Sequence, residues 1–294
     1  MDTGDLKIFE AVARLGGMNR AAAELNTVQS NVTARIKALE ADIGCALFER
    51  HSRGVSLTAA GRRLLPYADR AGRLLADARR AVRDDGMPRG VLTVGSLETT
   101  AALRLTPLLA RYAADNPAVD LVLRTGTTRE LIADTLEQRV EGAFACGPAA
   151  HPHLVGEVVF REELVMLAAP GIASLDAALA GGAARLVVLR AGCSYREMLE
   201  ALLARRGIAV QRQLEFGTLE AIFGCVSAGL GVTMMPRALI GGVCAAGRVS
   251  VHALPPGDAM VETIFIRRRD AFASSALRAF LACVAGGLAT AAAA

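Results

Sequence analysis

Apolar positions at helical spacing open the chain. Leu6, Ile8, Phe9, Val12 and Ala13 share one face of a helix predicted from Asp5 to Ala13, which Gly16-Gly17 ends. Asn19 is the predicted cap of a second helix through Ala21, Ala22, Ala23 and Leu25, small residues that let helices approach closely. A break at Asn26-Thr27 leads to a third helix starting at Val28 or Gln29. In it Val28, Val32, Ile36, Leu39 and Ile43 recur at spacings of four, four, three and four, which predicts one buried stripe. Two short helices meeting at a tight turn form a helix-turn-helix pattern. At about 100° per residue the opposite edge of the third helix carries Thr27, Ser30, Thr33, Ala34 and Lys37, flanked by Gln29 and Asn31. Such an edge suits a major groove, where amides pair with adenine, hydroxyls meet several bases and a methyl touches thymine.

Beyond Gly44, two short apolar pieces surround a polar turn from Leu47 to Thr58, the pattern of a β-wing with Arg50 and Arg53 at its tip as candidate phosphate or minor-groove contacts. Leu57, Gly61, Leu64, Ala68, Ala71, Leu75, Ala78 and Val82 then alternate in steps of four and three. Over more than three heptads this predicts a coiled-coil seam, with Pro66 removing one backbone hydrogen bond. Asp84-Asp85-Gly86-Met87-Pro88-Arg89-Gly90 supplies stop and hinge residues. From Val91 the pattern changes to alternating strands and helices, which implies parallel α/β layers. Predicted strands cover Val91–Gly95, Asp120–Arg124 and Gly142–Cys146, with helices over Ala102–Ala114 and Arg129–Arg139. A second lobe is expected from Glu163–Ala168 through Leu186–Leu189, the helix Tyr195–Arg206 and Thr218–Val226, with a return strand near Glu262–Arg267.

Composition sharpens this picture in two places. The chain's 294 residues carry a formal net charge of +4, and all of the excess lies in residues 1–90, which hold 15 Lys+Arg against 11 Asp+Glu; the remainder holds 18 of each. A local basic bias is what phosphate binding requires. The six cysteines form no C-x-x-C pair and do not cluster with the four histidines, so no zinc site is expected, and no cofactor or metal is inferred. No glycine-rich phosphate loop or Ser/His/Asp grouping points to an enzyme. The acidic start differs from a signal peptide, which implies a cytoplasmic protein with reduced thiols, and the Ala/Gly-rich tail from Ala271 is read as a fraying terminal helix rather than a membrane span.

Several short runs, taken in order, are more specific than any of these patterns. Phe9-x-x-Val12-Ala13, Asn19-Arg20-Ala21-Ala22-x-x-Leu25, Val28-Gln29-Ser30-Asn31-Val32-Thr33, Ile36-x-x-Leu39-Glu40, Gly44-x-x-Leu47-Phe48-x-Arg50 and Leu57-Thr58-x-x-Gly61 together resemble the N-terminal signature of LysR-type transcription regulators. Asn19 stands where that family usually has Ser, and Ala34 where Arg is frequent. Ala228-Gly229-Leu230-Gly231-Val232-x-Met234-x-Pro236 resembles the family's effector domain. The resemblance implies a winged helix-turn-helix DNA-binding domain over residues 1–58, a linker and dimerisation helix over 59–86, and a two-lobed, periplasmic-binding-protein-like α/β effector domain over 91–294. Lobe I would comprise about 91–161 and 266–294, and lobe II about 162–265. It adds Asn19, Arg20 and Arg35 to the candidate DNA contacts. It also implies a homodimer or homotetramer on a palindromic operator of double-stranded DNA, with RNA polymerase as a further partner.

Ligands of such sheets bind beyond the carboxyl ends of strands, where helix N-termini offer free N–H groups. Ser96-Leu97-Glu98-Thr99-Thr100, Gly126-Thr127-Thr128, Cys146-Gly147-Pro148 and Cys193-Ser194-Tyr195-Arg196 meet that description, and Thr218 and Thr233 add hydroxyls. The expected ligand is a small organic effector, with carboxylates as the leading class. Glu98 qualifies this: either it points outward or the effector carries a hydroxyl or amine there. A thiol-based redox sensor is the alternative if Cys146 and Cys193 face each other across the cleft. A small-molecule-binding protein without a DNA role would leave the first 90 residues unexplained.

Overall fold

A computed structural model describes residues 1–51, 54–180 and 182–292 and divides into two compact units, Met1–Asp85 and Gly86–Ala294. In the first, α1 (Thr3–Leu15) opens with a capping box: the Asp2 side chain accepts from the Asp5 backbone N–H while the Asp5 carboxylate accepts from that of Asp2. α2 (Met18–Glu24) follows at once. Its N-cap is Gly17, in extended conformation, so Asn19 is not the cap that the sequence predicts; it sits inside the first turn and is exposed. α3 (Gln29–Ile43) ends at Gly44, whose left-handed φ of 81° favours glycine.

Val32, Ile36 and Leu39 of α3 are buried with Phe9, Val12, Ala21, Ala22 and Leu47, as the stripe predicts at its centre. Its two ends depart from the prediction: Val28 is 64% exposed and Ile43 38% exposed. Val28 caps the helix from outside, and Ile43 lies in its last turn, so the stripe outruns the three-helix core that would cover it. The wing is the antiparallel hairpin β1 (Phe48–His51) and β2 (Gly54–Leu57), with Phe48 opposite Leu57 and Arg50 opposite Val55. Arg53, the other predicted wing contact, lies outside the described residues.

α4 (Ala59–Arg83) starts at Thr58, whose hydroxyl accepts from the Gly61 N–H, and continues through Pro66. A side chain at Gly61 would fall 2.2 Å from the Leu47 carbonyl oxygen, so only glycine permits this helix to lie so close. The seam divides into two halves. Leu57, Leu64 and Ala68 pack on the unit's own core, whereas Leu75 and Val82 are exposed, Val82 at 88%.

The second unit holds a seven-stranded sheet and a separate two-stranded one. β3 (Gly90–Ser96), α5 (Glu98–Thr100), a π-helical turn (Ala101–Leu105), α6 (Thr106–Asp115), β4 (Val119–Thr125), α7 (Thr128–Leu136) and β5 (Gly142–Cys146) make up the first lobe's parallel layer. β6 (Leu154–Ala168) is a single strand of 15 residues. Its first part pairs with β11 and its last part with β9 and β10. The second lobe contains α8 (Leu175–Ala178), β7 (Ala183–Leu189), α9 (Ser194–Arg205), β8 (Ala209–Phe216), α10 (Leu219–Ser227), β9 (Thr233–Pro236), a short 3-10 turn (Arg237–Ile240), α11 (Gly241–Ala245) and β10 (Ser250–Ala253). β11 (Met260–Arg268) returns to the first lobe and α12 (Ser275–Ala292) covers it.

The partners of β6 change from β11 to β9 between Glu163 and Leu164, so the second lobe begins within β6, not with a strand of its own. β11 leads back from about residue 260, rather than 266, because it pairs with β6 along its whole length and with β5 from Thr263 to Ile266. Tyr112, Phe144, Phe160, Phe265 and Phe280 fill the first lobe between the sheet, α6 and α12. α12 is therefore core at its start, with Ala276, Leu277, Phe280 and Val284 buried. Among the described residues, no helix is long and apolar enough to cross a membrane.

Candidate DNA-contacting helix and effector cleft

On α3 the polar edge is ordered before any partner arrives. The Gln29 amide Nε2 donates to Thr33 Oγ1 at 3.0 Å, and the Asn31 amide Nδ2 donates to Thr27 Oγ1 at 3.0 Å. Ser30, Ala34 and Lys37 are exposed, as are Asn19 and Arg20 on α2, while Thr27 and Thr33 are half-buried. Arg35 is placed differently from the rest of the predicted contacts. Its guanidinium reaches back to α1, with Nε 2.7 Å and Nη2 2.6 Å from Asp5 Oδ1, and Nη2 2.9 Å from Asp2 Oδ1. Burial raises the Asp5 carboxyl, but the Asp2 backbone N–H and Arg35 outweigh it, and its pKa falls below the ordinary carboxylate value.

In the second unit a cleft opens between the lobes. The ends of β3, β4 and β5 meet α9 and the end of β7 there. Of the residues predicted for the site, Leu97, Glu98, Thr99, Thr127, Thr128, Cys146, Ser194 and Tyr195 line it. The sequence left open whether Glu98 points outward; it faces the cleft.

Six others lie elsewhere. Ser96 is fully buried and its hydroxyl donates to the Leu97 carbonyl, and Thr100 is buried in the first turn of α5, facing away. Gly147 packs against Ile264. Arg196 is held by Glu200 and Glu215, while Thr218 is exposed and caps α10. Thr233 is buried on β9, against a smaller cavity of the second lobe that Arg196 also lines. The sequence reading missed Thr125, Leu189, Arg190 and Gly217 as lining residues. Arg190 follows the last residue of β7, so the same strand-end rule points to it.

Hydroxyl groups bridge the lobes across this cleft. Ser194 Oγ donates to Thr128 Oγ1 at 2.9 Å, and Thr99 Oγ1 and the Tyr195 hydroxyl lie 3.4 Å apart. Thr128 also accepts from the Cys146 backbone N–H at 3.3 Å. Burial pushes the Tyr195 phenol well above its usual pKa, so it stays protonated and able to donate. Burial likewise raises Glu98, assisted by Glu220 and opposed by Arg190. Cys146 and Cys193 both line the cleft, and burial raises both thiols; the N–H groups at the start of α9 only partly offset this at Cys193. Redox sensing requires thiolate character, which burial of this kind suppresses.

Comparison with known proteins places both units. The pattern described as "Bacterial regulatory helix-turn-helix protein, lysR family" matches residues 3–62, and "LysR substrate binding domain" matches residues 85–289. The chain belongs to the LysR family of transcription regulators. An uncharacterized HTH-type transcriptional regulator YusT of Bacillus subtilis (strain 168) is 43% identical over 96% of this chain and 94% of its own length. GltR of the same organism, also an HTH-type transcriptional regulator, is 42% identical over 94% of this chain and 93% of its own. Full-length CbnR, solved in complex with its target DNA, superposes with a TM-score of 0.63 at 26% identity, covering 98% of this chain and all of that one. ArgP from Mycobacterium tuberculosis shares the fold with a TM-score of 0.68 at 20% identity, covering 98% and 97%. LysR regulators bind DNA and form oligomers, and this chain is a DNA-binding regulator with an effector-binding domain rather than an enzyme.

Proposed function

We propose that this LysR regulator occupies a palindromic operator as a homodimer or homotetramer in the cytoplasm, and that a small organic effector held between the lobes of its second unit sets the transcriptional outcome through RNA polymerase. The observation that carries the reading is the cleft itself, whose polar groups come from both lobes and bond across it. On the DNA side, the ordered amide and hydroxyl edge of α3, with Lys37 beside it, supplies base readout; Arg20 and the wing's Arg50 and Arg53 supply phosphate contacts. An effector alters operator binding only by preferring one state of the oligomer over another. Lobe closure, which makes and breaks the Thr128–Ser194 and Thr99–Tyr195 pairs, is a two-state element of that kind.

The test is a mobility shift on the promoter fragment beside the chain's own gene, with and without a metabolite panel, repeated with Gly217→Trp. Gly217 lines the cleft and a Cβ there meets nothing within 4 Å, so a bulky side chain starts in open space at the cleft's edge and should obstruct it. Operator binding should persist in the variant while the effector response disappears. An equal response in both proteins places the effector elsewhere.

A further inference from the structure

We infer that the effector is a zwitterion of the α-amino acid type, its ammonium group facing Glu98 and its carboxylate facing Arg190. The inference rests on the cleft being the effector site. Glu98 enters the cleft from the first lobe, at the end of β3, and Arg190 from the second, at the end of β7. Among the described residues neither charge has a hydrogen-bond or ion-pair partner, and the two do not close on each other although they line one cavity. Neighbouring charges are already committed. Glu130 accepts from the backbone and hydroxyl of Thr127, and Arg129 pairs with Glu197. Arg190 and Glu98 are thus the charges left over among the residues that line the cleft, one of each sign, on opposite walls.

The surroundings fit the same ligand. Glu220 of α10 lies near enough to Glu98 to act on it and is itself unpartnered among the described residues, so this side of the cleft favours a cation. A simple carboxylate would satisfy Arg190 but leave Glu98 facing an anion; a simple amine would do the reverse. A molecule with both groups on adjacent atoms satisfies the two walls at once. Bridging them would also draw the lobes together, beside the hydroxyl pairs that already join them. Leu97 and Leu189 offer apolar wall to a side chain.

Calorimetry on the full-length protein tests this with each standard L-amino acid, its N-acetyl derivative and its decarboxylated amine, alongside amine-free carboxylates such as succinate and benzoate. At least one amino acid should bind and lose tenfold or more in affinity on either modification. Glu98→Gln should abolish the penalty for N-acetylation, and Arg190→Gln the penalty for losing the carboxylate, with melting curves verifying that both variants fold. If succinate or benzoate binds as tightly as any amino acid, and Gly217→Trp abolishes that binding, the cleft stands and the zwitterion is wrong. If amino-acid binding survives Gly217→Trp, the cleft reading fails and this inference with it. A panel in which no amino acid binds overturns the zwitterion alone.

Discussion

Arg35 gives two readings of one residue with opposite experimental signatures. By sequence position it belongs to the candidate DNA contacts; in the folded unit its guanidinium is fastened to Asp5 and Asp2 at the start of α1. The side chain is 37% exposed and Asp5 only 14%, so solvent screens the pair in part. Exposed ion pairs contribute roughly 0.2–1 kcal/mol, whereas charge-assisted hydrogen bonds in partly buried settings contribute roughly 1.5–3 kcal/mol. Arg35→Ala should therefore lower the unfolding midpoint of the N-terminal unit by roughly 4–8 °C. Asp5 gives a second handle: its folded pKa is depressed, so the contribution is present above the ordinary carboxylate pKa and is lost as pH falls through the lowered value.

The DNA side is read from the slope of log affinity against log salt concentration. Loss of a phosphate contact lowers that slope by about 0.9, while loss of a structural ion pair leaves it unchanged at temperatures where the unit is folded. Lys37 is the internal control, being exposed and, among the described residues, without an ion-pair partner. Lys37→Ala should weaken operator binding with no change in melting temperature, and Arg35→Ala should do the reverse. An Arg35→Ala protein that melts like the parent but loses one unit of salt slope would refute the structural assignment.

Four further outcomes follow from named contacts. Tyr112 donates to the Ala276 carbonyl at 2.8 Å in the first lobe's core, so Tyr112→Phe should cost about 1–2 kcal/mol in denaturant unfolding and leave operator affinity alone. His252 is buried on β10, and burial depresses its pKa below 6.5. Its neutral form therefore supports stability above that value and the support is lost as pH falls through the depressed pKa, a decline that His252→Leu should flatten in melts between pH 7 and about 5. Leu75→Asp with Val82→Asp places charge on the exposed half of the α4 seam and should lower the molar mass measured by light scattering. Exposed Cys45 and Cys244 should react with peroxide before buried Cys146 and Cys193; preferential oxidation of the cleft pair in a mass-spectrometric thiol map would revive the redox reading.

The first unit was legible in the sequence because its determinants are local. Caps, left-handed glycines and a 3.6-residue stripe fix α1, α3 and α4 from neighbouring residues alone. The errors there arise where the stripe passes beyond what the tertiary core can cover, at Val28 and Ile43, and where an extended Gly17 opens α2 before Asn19. The second unit depends on pairing that no local pattern encodes. β6 reads as a lobe-II strand starting at Glu163, because its first half takes its place only from Met260–Arg268, about a hundred residues downstream. The cleft shows the same division. The rule that ligands gather beyond strand ends located most of its lining, yet it cannot say which of several consecutive residues turn inward. Ser96 and Thr100 face the core while Glu98 and Thr99 face the cleft, a choice made by the pairing of β3 with β4 and β5 and by the turn that starts α5. Arg190 is not legible in the sequence because a lone exposed arginine carries no pattern; its meaning comes from Glu98 across the cleft, which only the fold brings within reach.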